Sequence, residues 1–176
     1  MSSRPQPAPK SASLPRSLTF RAEVRPDDPA AVRGLVEGTG FFNPEEAGVA
    51  MELVQERLAK GAASGYEFLF AESEGALLGY ACYGHIDGTA ASYDLYWIAV
   101  AARAQGEGIG KALLAESEAR IGRAGGRRVY VETASRAQYA PTRAFYERAG
   151  YRQEALLVDF YAPGDGKVIY VKELPA

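Results

Sequence analysis

The sequence predicts a mixed α/β domain in which one β-sheet is flanked by helices. Short apolar runs typical of strands alternate with helical stretches over residues 18–172. The run at 93–100 is apolar almost throughout, as expected for a strand buried on both faces. The helix that starts near Gly108 then leads to a further strand at 128–133, as a crossover between neighbouring strands does.

The elements before the buried strand follow from local signals. A first strand is expected over 18–25, where apolar and polar residues mix, and a helix near 29–36 follows two aspartates that favour a helix N-terminus. Asn43 and Pro44 form a capping residue and a preorganised first turn. Apolar residues then recur at helical spacing toward Gly61, which predicts a second helix.

Hairpin and strand signals complete the pattern. Two strands over 66–71 and 76–86 are joined by a turn-rich segment, so they should pair antiparallel. The order is therefore β-α-α-β-β-β-α-β-α-β-β. Beyond the crossover, the predicted elements are a strand at 128–133, a short helix from Pro141 to before Gly150, and strands at 151–160 and 168–172.

Length and composition predict one soluble domain. The 176 residues suit a single core, and we place the domain at 18–174 after a flexible Pro/Ser-rich tail at 1–17. No apolar stretch approaches the roughly 20 residues of a membrane span, and the tail lacks the apolar stretch of a secretory signal, so we expect a cytoplasmic protein. The formal charge of −2 and the scattered basic residues argue against nucleic acid as a partner.

The cysteine and histidine content excludes two classes of site. Cys82 is the single cysteine and His85 the single histidine, so the chain can form neither an internal disulfide nor a Cys/His metal cage. Cys82 could be a nucleophile, but its place in an apolar strand favours a buried structural thiol. No metal is expected.

The loop before the crossover helix predicts an anion site. The first amides of a helix have no partner within the helix, and Gly106, Gly108 and Gly110 would let a phosphate reach them. Packing could explain Gly110, which lies in the apolar stripe of the helix, but it does not explain the other two glycines. Nor does it explain Lys111, whose charge opposes the helix dipole unless an anion lies nearby. The spacing fits neither a Rossmann nor a Walker loop.

The pattern Gln105-x-x-Gly108-x-Gly110, preceded by a strand of Trp-Ile-Ala-Val type, resembles the acetyl-coenzyme A signature of the GNAT acetyltransferase superfamily. The later segment Phe145-Tyr146-Glu-Arg-Ala-Gly-Tyr strengthens this resemblance, which extends over 18–172. It implies a GNAT-like, mostly antiparallel sheet of six to seven strands with about four helices.

The resemblance also implies acetyl-CoA as cosubstrate and assigns the residues that bind it. The pantetheine arm would pair with the main chain of the buried strand, and an amide near its end would polarise the acetyl carbonyl. Tyr139 stands where the family often has a coenzyme-binding asparagine, and Thr142 stands where alanine is usual. The implied coenzyme-binding residues are Ile98, Ala99, Val100, Gln105, Gly106, Glu107, Gly108, Ile109, Gly110, Lys111 and Tyr139.

Transfer from a thioester to an amine needs a general acid and a general base. Tyr146 resembles the family's acid near the coenzyme sulfur, although a packed aromatic residue would also fit there. Strand alternation predicts that Asp94 shares a face with Ile98 and Val100, so it could serve as the base. Glu132 is the alternative base, and a water relay remains possible for either residue.

These assignments predict an N-acetyltransferase that acts by direct attack of a primary amine on acetyl-CoA. The alternatives are a non-catalytic CoA-binding sensor module and an enzyme that transfers an O-acyl or longer acyl group. The acceptor would be a small-molecule or peptide amine. Asp159, Tyr161 and the loop at 163–166 could attract it or merely form turns. Exposed edge strands also make a homodimer possible.

Overall fold

The computed structural model describes residues 13–175 and has the predicted order of elements. Residues 1–12, most of the predicted tail, lie outside the described part. No described helix is long and apolar enough to cross a membrane. The elements are β1 (Thr19–Arg21), α1 (Asp28–Gly38), α2 (Pro44–Lys60), β2 (Glu67–Ser73), β3 (Ala76–His85), β4 (Ser92–Val100), α3 (Ile109–Arg123), β5 (Arg128–Ala134), α4 (Ala140–Arg148), β6 (Arg152–Ala162) and β7 (Asp165–Glu173).

The seven strands form one sheet in the order β1-β2-β3-β4-β5-β7-β6, and every neighbouring pair except β4–β5 is antiparallel. The mostly antiparallel mixed sheet is therefore confirmed. The first strand is much shorter than the predicted 18–25, because it pairs with β2 only from Thr19 to Arg21. The last strand is longer than predicted, since Asp165 and Gly166 belong to β7 rather than to a loop.

The parallel strands β4 and β5 pair at one end and diverge at the other, which leaves a V-shaped opening between them. Its ladder holds Ser92–Asp94 against Arg128–Tyr130 and goes no further. The remainder of β4 has β3 as its described strand neighbour. Helix α3, the crossover between β4 and β5, packs closely on the sheet at Gly79, where a β-carbon would lie 3.0 Å from Leu113 Cδ1 of the helix. The absence of a side chain there lets α3 approach.

A β-bulge in β4 changes which side chains share a face. Trp97 lies opposite Cys82, but Leu95 lies opposite Tyr83, so Tyr96 is an extra residue on β4. Such a bulge shifts the strand's alternation by one position. Cys82 is buried, as its place in an apolar strand predicts.

The edge strand β6 is the most exposed element of the sheet. Opposite β7, Leu157 pairs with Lys167 and Ala162 pairs with Asp165, so residues 158–161 bulge outward. The homodimer stays a prediction, with this unpaired apolar edge as its most suitable surface. The large exposed apolar side chains on β6 are Leu156, Leu157, Val158, Phe160 and Tyr161.

Candidate active site

A cavity of about 1340 Å³ occupies the V between β4 and β5. Pockets for drug-sized ligands span roughly 300–1,000 Å³, so this cavity has room for a larger ligand or for two substrates together. Its walls come from the end of β4, the loop and first turn of α3, the end of β5, one side of α4, the α1–α2 connection and the turn between β6 and β7.

The loop at one end of the cavity presents unpaired main-chain amides. No described residue accepts a hydrogen bond from the amides of Gly106 through Lys111, and α3 begins at Ile109. Gly106 and Gly108 both have φ of +82°, a conformation that favours glycine. The glycines therefore turn the chain so that a row of donors and the positive end of the helix dipole face the cavity. This geometry suits a diphosphate.

Individual loop residues contribute in different ways. The Gln105 side-chain Nε2 donates to the Val100 carbonyl oxygen at 3.2 Å, so it ties the loop to the end of β4. The Ile109 side chain packs in the core, where the residue is 1% exposed. Only its main-chain amide is therefore available to a ligand. The Glu107 side chain is exposed and does not line the cavity, whereas Gly110 and Lys111 do. The binding role implied for this loop thus falls mainly on its backbone.

The end of β4 offers the second binding surface. Ile98, Ala99 and Val100 line the cavity and pair with β3 along one edge. Because β5 pairs with β4 no further than Asp94, the other edge has no strand partner among the described residues. An extended ligand with amide groups can pair there as an added strand does.

Tyr146 lies deep in the cavity on α4. Its side chain is 4% exposed and packs edge-on against Tyr151, with ring centroids 5.5 Å apart. No described residue forms a hydrogen bond with its hydroxyl. Burial raises the pKa of Tyr146, so the phenol holds its proton throughout the physiological range. It can act as a proton donor and has no described group that competes for its proton.

Asp94 does not lie where strand alternation predicts. Because of the bulge at Tyr96, Asp94 shares a face with Trp97, while Ile98 and Val100 project from the opposite face. The predicted shared face is therefore wrong, and Asp94 is not among the cavity-lining residues. It is half-buried, and no described residue makes an ion pair or side-chain hydrogen bond with it. Burial, followed by the charge of nearby Glu132, raises the pKa of Asp94.

Glu132 projects from β5 into the cavity. Its carboxylate forms an ion pair with Lys167 Nζ at 2.8 Å, and its side chain remains about half exposed. The structure thus brings Glu132 and Tyr146 to the same cavity, whereas Asp94 does not line it.

Comparisons with known proteins agree with this geometry. The family model of the acetyltransferase (GNAT) domain matches residues 64–153. A crystal structure of a GNAT-family protein from Desulfovibrio desulfuricans is 53% identical, with a TM-score of 0.87, and the match covers 89% of this chain and 98% of that one. The chain belongs to the GNAT acetyltransferase family. No curated protein sequence matches it.

Two less similar N-acetyltransferase structures share the fold. An aminoglycoside 6'-N-acetyltransferase solved with coenzyme A is 19% identical, covers 90% of this chain and 98% of its own, and has a TM-score of 0.74. The PaiA N-acetyltransferase of Thermoplasma acidophilum, also solved with coenzyme A, is 18% identical with a TM-score of 0.70, and the match covers 90% of this chain and 99% of that one.

Tyr139, the implied coenzyme contact, has other partners in this GNAT domain. It lines the cavity, but its ring packs edge-on against Phe41 with centroids 4.9 Å apart. The Arg136 guanidinium lies over the same ring, 5.1 Å from its centroid. Gln138 Nε2 also donates to the Phe41 carbonyl oxygen at 3.4 Å. Tyr139 therefore helps to dock the α1–α2 connection onto the segment before α4.

Sequence reasoning missed the aromatic residues of the α1–α2 connection. Phe41 and Phe42 line the cavity, and the Phe42 ring lies 5.0 Å from that of Trp97 on β4. The available signal was two adjacent phenylalanines just before the Asn43 cap, because solvated loops rarely carry such a pair without an apolar surface to cover.

The unpartnered charge of Asp94 gives a prediction for stability. Since the pKa of Asp94 is raised in the folded state, the folded protein binds more protons than the unfolded chain above the ordinary pKa of this group. The contribution of Asp94 to the free energy of unfolding therefore decreases as the pH rises. We expect Asp94→Asn to increase the free energy of unfolding relative to wild type at pH 7, with a smaller difference at pH 4, by urea denaturation.

The exposed Glu52 on α2 provides the matched control. Glu52→Gln should show no comparable change between the two pH values. Equal differences for Asp94→Asn at pH 4 and pH 7 would mean that folding does not raise the pKa of this carboxyl group. A loss of stability that is greater at pH 7 than at pH 4 would mean that the surroundings stabilise the carboxylate.

Proposed function

We propose that this GNAT domain transfers the acetyl group of acetyl-CoA directly to a primary amine. The observation that carries the proposal is the content of one cavity: unpaired loop amides at one end and a buried, protonated tyrosine deep inside. The amides suit a diphosphate, and the tyrosine suits a departing thiolate. A cavity of about 1340 Å³ leaves space for an acceptor beside the coenzyme.

Binding of acetyl-CoA would use the backbone of the loop and of β4. The amides from Gly106 to Lys111 would hold the diphosphate, and the Lys111 ammonium would add a cation beside it. The pantetheine amides would pair with the open edge of β4 near Ile98 and Val100. These contacts would fix the thioester in the V, close to the end of α4.

Tyr146 would act as the general acid. The amine nitrogen attacks the carbonyl carbon, the carbon–sulfur bond breaks, and the thiolate takes the hydroxyl proton of Tyr146. A raised pKa keeps that proton available at the start of each cycle. A non-catalytic CoA-binding domain would not require a buried hydroxyl that has no hydrogen-bond partner among the described residues. Tyr146 therefore favours an enzyme over such a domain.

Glu132 would accept the proton that the amine must lose. It lines the cavity, whereas Asp94 does not. Its ion pair with Lys167 fixes the carboxylate on β5, and its half-exposed side chain allows a water molecule to relay the proton. The same water would return a proton to Tyr146 after the thiol leaves.

Replacement of the acid gives the first test of the proposal. Tyr146→Phe should lower kcat for amine acetylation by about 100-fold or more, since general acids contribute roughly 10² to 10⁴ in rate. The dissociation constant for CoA should stay within about twofold, because the loop and β4 are unchanged. Thiol release measures kcat, and calorimetry measures binding.

Tyr80→Phe is the matched control, because Tyr80 is equally buried but does not line the cavity. Its kcat should equal that of wild type. If Tyr146→Phe kept the wild-type kcat across pH, the phenol would not be the acid. If acetyl-CoA bound but no amine released thiol, the enzyme proposal itself would fail.

The two carboxylates give a second test. Glu132→Gln should lower kcat/KM by about tenfold or more, because it removes the proposed proton acceptor. Asp94→Asn should stay within about threefold of wild type, because Asp94 lies outside the cavity. The pH profile of kcat/KM for both variants is the measurement. A large loss of kcat/KM in Asp94→Asn, together with full activity in Glu132→Gln, would make Asp94 rather than Glu132 the general base.

A further inference from the structure

A belt of aromatic rings lines the cavity on the side of the α1–α2 connection. Tyr139, Phe41, Phe42 and Trp97 follow one another in ring-to-ring contact, with successive centroids 4.9, 5.1 and 5.0 Å apart. The belt runs from the segment before α4, over the α1–α2 connection, to β4. All of its members line the cavity.

The geometry of this belt suits a flat ligand. Aromatic pairs are most favourable when edge-to-face or offset, with centroids roughly 4.5–7 Å apart. The contacts of Phe41 with Phe42 and Tyr139 are edge-to-face, with interplanar angles of 77° and 76°. A planar group against the belt meets both ring faces and ring edges, which a saturated chain cannot exploit.

The carboxylates that line the cavity already have partners. Glu46 Oε2 accepts from the Asn43 amide at 2.8 Å as part of the α2 capping box. Glu132 is paired with Lys167, and Asp165 lies 3.7 Å from the Arg136 guanidinium. Glu132 is the cavity-lining carboxylate that the proposed mechanism places beside the acceptor nitrogen, while Glu46 and Asp165 serve the α2 cap and the contact with Arg136.

We propose that the acceptor is a small primary amine on a flat aromatic body, carrying one positive charge rather than several. This inference rests on the proposed function and specifies its substrate class. The aromatic body lies against the belt, and the single ammonium group points toward Glu132. A polycation loses more hydration on entering the cavity, and a further ion pair would draw on a carboxylate that already serves the α2 cap or Arg136.

Matched amines test the class. We expect kcat/KM for 2-phenylethylamine to exceed that for 2-cyclohexylethylamine by about tenfold, since the two differ in flatness and π-character but not in charge. We expect kcat/KM for 2-phenylethylamine to exceed the values for 1,5-diaminopentane and for kanamycin by more than tenfold. Equal values for the first two amines, or a preference for either polycation, would overturn the inference and leave the proposed acetyl transfer intact.

Substitutions in the belt test whether its rings cause the preference for the aromatic amine. Phe41→Leu and Phe42→Leu should bring the ratio between the two ring amines toward one, with the dissociation constant for CoA unchanged. Phe160→Leu is the matched control, because Phe160 is an exposed phenylalanine on β6 outside the cavity lining and its replacement should leave the ratio as in wild type. An unchanged ratio in both cavity variants would overturn the inference.

Trp97 gives a readout that needs no turnover, because it is the single tryptophan of the chain and a member of the belt. With CoA present, 2-phenylethylamine should change its emission saturably, at concentrations at least tenfold below those that 1,5-diaminopentane requires. No change, or equal responses to both amines, would contradict the inference. If Trp97 responded selectively but no amine were acetylated, the preference for aromatic amines would stand and the proposed acetyl transfer would be contradicted.

Discussion

The parting of β4 from β5 is the constraint on which the rest of the site depends. The parallel ladder ends at Asp94, and the following part of β4 keeps one edge without a strand partner among the described residues. Two features accompany the opening: the bulge at Tyr96, and the close approach of α3 at Gly79. A continuous ladder would fill the space where the cavity lies, and the loop amides would then face no ligand.

The two ends of the cavity use different chemistry. At the α3 end, the groups offered to a ligand are main-chain amides, since the turns at Gly106 and Gly108 leave donors with no acceptor among the described residues. At the α1–α2 end, the wall consists mostly of side-chain rings. Tyr146 lines the same cavity, and the proposed transfer would bring an acyl group held at one end to a nucleophile held at the other. On this proposal, a backbone-based coenzyme site and a side-chain-based acceptor site would share one cavity.

Local signals in the sequence were sufficient for the order of elements along the chain and for the loop that leaves its amides unpaired, while the coenzyme-binding roles stay predictions. The elements, the crossover and the glycine-rich loop follow from periodicity, capping and helix-end physics, which act over a few residues. The bulge at Tyr96 does not follow, because an extra residue is defined by the register against β3, and this moved Asp94 to the opposite face. The roles of Phe41 and Phe42 depend on contacts with Trp97 and with the segment before α4, which are distant along the chain.

Titration calorimetry with coenzyme fragments measures whether the opened sheet and the amides of Gly106–Lys111 bind a diphosphate and its pantetheine arm together. CoA should bind one-to-one with saturable heat. Pantetheine, which lacks the diphosphate, should bind at least about tenfold more weakly, because the charge-assisted hydrogen bonds of the loop are lost. Absence of heat with CoA, or equal affinities for CoA and pantetheine, would contradict the account.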